Sequence, residues 1–107
     1  MQPDSDQLFD VLTPLGFSVR VTHARWELIT TVKHPVMAGR EDVVRSTLQS
    51  PEQVRQSRSD SNVMLFYRAE GSDRWVCAVA KRMAEHGFLI TAYPTDAIKE
   101  GAPIWPK

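Results

Sequence analysis

The sequence predicts an α+β fold in which a β-hairpin and two helices pack on a C-terminal antiparallel sheet of about four strands. Three observations carry that expectation. Two short β-prone runs flank Thr13-Pro14-Leu15-Gly16, a turn sequence. Apolar residues then recur at spacings of three and four over 22–33 and again over 40–49. Beyond Gln53 the period drops to two through three successive runs, the alternation of strands.

In chain order, residues 1–7 are polar and read as a loose start, and 8–107 as one domain. At 107 residues the chain is long enough for one core. Residues 8–12 and 17–21 form the hairpin. Proline second and glycine fourth in the connection suit a type I turn. Phe17, Val19 and Val21 fall on one face of the second strand, Ser18 and Arg20 on the other. Thr22 can cap a helix over 22–33, carried by Trp26, Leu28, Ile29, Val32 and Lys33. The β-branched run Thr30-Thr31-Val32 argues for a strand instead, but the periodicity favours the helix. His34-Pro35 ends it, because a residue before proline is driven out of the α region. The second helix, 40–49, places Glu41 and Asp42 at its positive end and Val43, Val44, Thr47 and Leu48 in a stripe.

Residues 54–57 read as a short strand, and 62–68, 74–82 and 88–93 as a meander turning at Gly71 and at Ala84-Glu85-His86-Gly87. Alternation sets Met64, Phe66 and Arg68 against Val63, Leu65 and Tyr67. It sets Val76, Ala78, Ala80 and Arg82 against Trp75, Cys77, Val79 and Lys81, and Phe88, Ile90 and Ala92 against Leu89, Thr91 and Tyr93. Both sets are apolar at their centres, which predicts helices over one face and the hairpin or a groove over the other. Phe88 and Ile90 read as core anchors, and the tail from Thr95 through Trp105 as a closure of the sheet edge.

Composition excludes several function classes. Thirteen basic and thirteen acidic residues balance, so gross charge points to no polyanionic partner. The single cysteine, Cys77, excludes an internal disulfide and reads as a small buried hydrophobe in a reducing compartment. No apolar run reaches the roughly 18 residues of a spanning helix, and the polar start lacks a signal-peptide pattern; a cytoplasmic protein without membrane attachment is expected. The spacing of His23, His34, His86 and Cys77 fits no zinc pattern, there is no glycine-rich phosphate loop, and no metal or cofactor is expected.

Chemistry concentrates on the face holding Tyr67, Trp75, Lys81, Thr91 and Tyr93: a cation, hydroxyls and flat rings suit a phosphate-bearing, base-bearing ligand. Singly, each has an ordinary explanation, since exposed lysines and half-buried tyrosines are common. His34 is equally a helix stop and a candidate acid or base, imidazole being able to take and give a proton.

Trp26-Glu27-Leu28-Ile29, His34-Pro35-Val36, Leu48-Gln49-Ser50-Pro51-Glu52-Gln53-Val54, Leu65-Phe66-Tyr67-Arg68 and Gly87-Phe88-Leu89-Ile90-Thr91-Ala92-Tyr93, with Ile98-Lys99 and Trp105, follow one another in an order that spans the chain from about Phe9. In this the chain resembles the phage-associated nuclease-like domains grouped with barnase, EndoU, colicin RNases and RelE, the BECR group. The resemblance implies a metal-independent endoribonuclease, often a toxin or prophage effector, with RNA as substrate and a cognate antitoxin or inhibitor as partner. It implies catalytic roles for His34, as acid or base, and for Thr91 and Tyr93, as phosphate or base contacts, to which residue chemistry adds Lys81 as a catalytic charge stabiliser. Lys81 and Arg68 are the cations assigned to phosphate, with Tyr67, Arg82 and Trp75 beside them; alternation leaves Arg68 on the face opposite Lys81. The alternatives are a non-catalytic nucleic-acid or protein-binding module on the same fold, or one domain of a larger phage protein, since fold kinship does not establish activity.

Overall fold

A computed structural model describes residues 6–98 and 100–106. Its elements are β1 (Gln7–Leu12), β2 (Ser18–Thr22), α1 (His23–Leu28), a π-helical turn (Ile29–Lys33), a 3-10 turn (Pro35–Met37), α2 (Glu41–Gln49), β3 (Gln53–Gln56), β4 (Val63–Ala69), β5 (Trp75–Met83), β6 (His86–Thr95) and β7 (Ala102–Trp105). The fold is α+β, with the helical segments on one seven-stranded mixed sheet of order β1-β2-β6-β5-β4-β3-β7. Of the loose start expected over 1–7, residues 1–5 lie outside the described residues, as does Lys99; Gln7 already belongs to β1.

The hairpin forms at the expected turn, where Gly16 N–H donates to the Thr13 carbonyl (3.2 Å) and Gly16 takes a φ of 89°. It is not a separate layer. Strand β2 runs parallel to β6 through Ser18↔His86, Val19↔Gly87 and Arg20↔Phe88, so the hairpin extends the sheet sideways. With β7 added beyond β3, that is why the sheet has seven strands and mixed direction instead of about four antiparallel ones: periodicity reports which face a residue takes, not which edge a strand joins. The meander β4-β5-β6 is antiparallel as expected, and β3 adds to it in the same sense.

The main core lies between one face of the sheet and the helical segments. Val19, Val21, Phe66, Val76, Ala78, Ala80, Leu89 and Ala92 pack under Ile29, Met37, Val44 and Leu48, and Phe17 meets Phe66 edge-on at 6.4 Å. A smaller cluster of Leu65, Tyr67 and Cys77 occupies the second face, with Trp75, Val79, Tyr93 and Ile98 against it. The two apolar faces agree with the alternation.

One assignment is corrected. Register slips between Val79↔Thr91 and Ala80↔Leu89, a bulge that gives β6 one extra residue. Downstream alternation stands, but before the bulge it inverts. Leu89 is the core residue, 1% exposed, whereas Phe88 is 39% exposed and Ile90 only half-buried. Phe88 and Ile90 are therefore not core anchors; Phe88 shares the second face with its partner Lys81.

From β6 the chain crosses the second face, seating Ile98 on the smaller cluster, and β7 closes the far edge against β3. Gly101 anchors this strap: its carbonyl accepts from Arg55 Nη1 (3.0 Å) and Arg58 Nη2 (3.3 Å). Its φ is +81°, and an added Cβ would lie 2.5 Å from the Gln56 carbonyl oxygen. Gly101→Ala is expected to cost at least about 2 kcal/mol, combining left-handed strain with a backbone clash. Urea denaturation at neutral pH measures it, and an unchanged midpoint would contradict this account. Among the described residues no helix is long and apolar enough to cross a membrane.

Candidate functional site

His34 is placed by an interrupted helix. Thr22 Oγ1 caps α1 by accepting from Arg25 N–H (3.1 Å). One turn later Thr30 Oγ1 donates to the Trp26 carbonyl (2.9 Å) and Thr31 Oγ1 to the Glu27 carbonyl (2.6 Å), competing for acceptors that the α-helix would use. The ladder widens to π geometry, ending with His34 N–H on the Ile29 carbonyl (2.6 Å). Pro35 then keeps His34 out of the helical region, at φ −144° and ψ 77°. The result is an imidazole turned toward β6, its ring 5.3 Å from that of Tyr93 and tilted by 40°. His34 thus reaches the second face.

Cross-strand register lays that face out in rows. One row reads Gln53, Tyr67, Cys77, Tyr93; the next Arg55, Leu65, Val79, Thr91; the third Val63, Lys81, Phe88, Arg20. Successive rows are two residues apart along a strand, about 6.6 Å. His34 and Tyr93 therefore stand one row from Thr91. Thr91 is half-buried but its Oγ1 is wholly buried and has no hydrogen-bond partner among the described residues. An unpaired hydroxyl of this kind is costly, and a bound water, local strain or a role in chemistry accounts for such groups.

Burial dominates the electrostatics of the Tyr93 row. It pushes the Cys77 thiol up to about 11, against the stabilising effect of the neighbouring Tyr93 and Tyr67 phenols. Burial also raises Tyr67 and Tyr93 above the usual phenol range, with the nearby Cys77 adding to the effect. Tyr93 is a protonated phenol at neutral pH, as an ordinary phenol would be, and its side chain faces Cys77. All three groups hold their protons more tightly folded than unfolded. Their contribution is full below the unfolded values and is lost as pH rises through the folded ones. For Cys77 the window runs from 9.0 to about 11. The corresponding loss is roughly 2–3 kcal/mol. Urea melts at pH 8 and above pH 10 are expected to show this alkaline loss, reduced in Cys77→Ala; equal losses in both proteins would contradict it.

The other anticipated residues are dispersed. Lys81 is on the second face, but its Nζ pairs with Asp60 Oδ2 at 3.3 Å, and its row lies about 13 Å along β5 from that of Tyr93. The same contact, after the Asn62 N–H, holds the Asp60 carboxyl below its ordinary value. Arg68 is on the helix face, donating to the Ser50 carbonyl. Arg82 also turns that way, its guanidinium 4.8 Å above the Phe17 ring. Tyr67 is only 2% exposed and offers no free ring to a base. Trp75 is half-buried against the smaller cluster. His34, Thr91 and Tyr93 are brought together, with Lys81 at the margin.

Lys33 was not anticipated. Its Nζ donates to the Ile90 carbonyl at 3.3 Å, bringing an ammonium beside Thr91. Helical periodicity counted Lys33 as part of an apolar stripe; its position next to His34 was the available signal. Among the described residues, no three His, Cys, Asp or Glu side chains cluster as metal ligands would. Comparison of the chain with protein-family models, curated proteins and solved structures returned no match.

Proposed function

We propose that this protein is a metal-independent endoribonuclease of the barnase, EndoU, colicin RNase and RelE-like kind, with His34, Tyr93 and Thr91 at its centre. The observation that carries the reading is the packing of His34 on Tyr93 beside the unpartnered Thr91 hydroxyl. These are an imidazole, a proton-bearing phenol and a spare donor on one face, the set that transfer of a phosphodiester to its own 2′-oxygen requires.

In this reaction the His34 imidazole takes the proton of the RNA 2′-hydroxyl as O2′ bonds to phosphorus. Charge grows on the non-bridging oxygens, where the Thr91 hydroxyl and the Lys33 ammonium donate. The bond from phosphorus to O5′ breaks, Tyr93 protonates the leaving oxygen, and proton exchange through solvent restores the His34 imidazole and the Tyr93 phenol. The products are a 2′,3′-cyclic phosphate and a 5′-hydroxyl, with both side chains restored. RNA is then the substrate, the cytoplasm the place of action and an inhibitor protein the expected partner.

The test is incubation of purified protein with RNA in excess chelator, with analysis of the ends formed. Cyclic phosphate ends are expected; intact RNA, or cleavage that the chelator abolishes, would overturn the reading. One observation favours a second reading, a non-catalytic RNA-binding module: Lys81 is engaged by Asp60, and Arg68 and Arg82 turn to the opposite face, leaving few cations around Thr91. In the same assay that reading requires RNA to bind and stay intact.

A further inference from the structure

Beyond Thr91 the second face continues into a concavity of about 220 Å³ that none of the chemistry above employs. Phe88, Met83 and the backbone of Gly87 form its apolar part, and Asp10, Arg20 and His86 are among its polar lining. These residues come from separate parts of the chain. The β6 bulge turns Phe88 to this side, and the parallel pairing of β2 with β6 brings Arg20 beside it. Both features were invisible to the periodicity, and without either the two side chains would not line one concavity.

Phe88 presents a ring that is 39% exposed in a strand where its neighbours Gly87 and Leu89 are buried. A flat apolar surface beside a guanidinium, an imidazole and a carboxylate matches a nucleobase, which stacks by its face and is read along its edge. Among the described residues Arg20 makes no ion pair, although Asp10 is its cross-strand neighbour. Its planar donors therefore remain available for a base edge or a phosphate oxygen. Lys81, paired across the strands with Phe88, is held by Asp60 and lies outside the concavity's lining.

We infer that this concavity is a nucleobase subsite, in which Phe88 stacks on a base of single-stranded RNA flanking the cleaved linkage. The inference rests on the ribonuclease reading for its substrate class. It places the base one row from Thr91 and two rows from Tyr93 and His34, so the seated nucleotide is a neighbour of the linkage undergoing reaction. Phe88 binds and positions substrate and takes no part in proton transfer.

The test uses a short fluorescein-labelled 2′-O-methyl RNA, which cannot be cleaved because its 2′-oxygen is blocked, with anisotropy as readout. Phe88→Ala is expected to weaken binding about tenfold or more, and Phe88→Trp to bind like the parent. Arg20→Ala, at an exposed strand position, is expected to weaken it as well. An abasic nucleotide at the seated position is expected to remove the difference between Phe88→Ala and the parent. Parent-like binding by folded Phe88→Ala, a difference that persists with every abasic placement, or no binding by the parent would each overturn the subsite. Cleavage of unmodified RNA is scored separately. Phe88-dependent binding without cleavage would retain the subsite and remove the enzyme, whereas cleavage with Phe88-independent binding would do the reverse.

Discussion

His34→Ala is expected to lower the rate of RNA cleavage by about 10²- to 10⁴-fold, the range that a general acid or base supplies, while leaving the fold intact. The backbone at His34 is set by its neighbours: the π turn delivers the chain, Pro35 fixes the exit, and the two hydrogen bonds at this residue use its N–H and carbonyl. Removing the imidazole therefore removes a ring contact with Tyr93 and little else. Thermal melting should change by no more than a half-buried contact is worth, about 1 kcal/mol. His34→Gln, which keeps a hydrogen-bonding side chain but cannot cycle a proton, should be nearly as inactive as alanine. Lys81→Ala should be much milder, because that ammonium is spent on Asp60 in a different row. Cleavage undiminished in His34→Ala, or a greater loss in Lys81→Ala, would displace the centre from the His34–Tyr93 contact.

What the sequence made legible follows from what local pattern encodes. The turn at Thr13 to Gly16, helix α2 and the β4-β5-β6 meander are specified by contiguous residues, and each forms where its residues point. The helix over 22–33 forms too, but its last turn opens because Thr30 and Thr31 spend their hydroxyls on carbonyls upstream, a competition that spacing alone does not register. The parallel pairing of β2 with β6 joins segments separated by most of the chain, and nothing in either strand names its edge partner. The bulge in β6 is a further step removed, since one extra residue exchanged Phe88 for Leu89 in the core without changing any composition.

The candidate site divides along the same line. His34 was conspicuous because Pro35 follows it, and Thr91 and Tyr93 because alternation past the bulge is undisturbed. Arg68 was already on the other face by alternation, and it stays there. Lys81 was legible as a cation on the right face, but Asp60, in the loop before β4, reaches it only in three dimensions. Lys33 gained its place from the π turn, so a reading that made the segment uniformly α-helical had no reason to send its ammonium to the Ile90 carbonyl.

Thr91→Val should separate stability from activity in opposite directions. The hydroxyl is buried without a partner, and valine replaces it with a methyl of similar size, so folding should become more favourable by about 1 kcal/mol, the scale of an unmade hydrogen bond. A threonine selected for packing alone would have no reason to carry that cost. A change of χ1 to another staggered rotamer moves the hydroxyl to a new direction, a change opposed by no hydrogen bond it now holds and rewarded by a phosphoryl oxygen. Loss of that donor should lower cleavage by about 10²- to 10³-fold. Thr91→Ser, which keeps the hydroxyl, should recover most of the rate. Urea denaturation and initial rates on the same three proteins decide the matter. A less stable valine variant would reveal a structural partner for Oγ1, and a fully active one would remove Thr91 from the reaction. A more stable, inactive valine variant alongside an active serine variant is the pattern that a hydroxyl held in reserve for substrate requires.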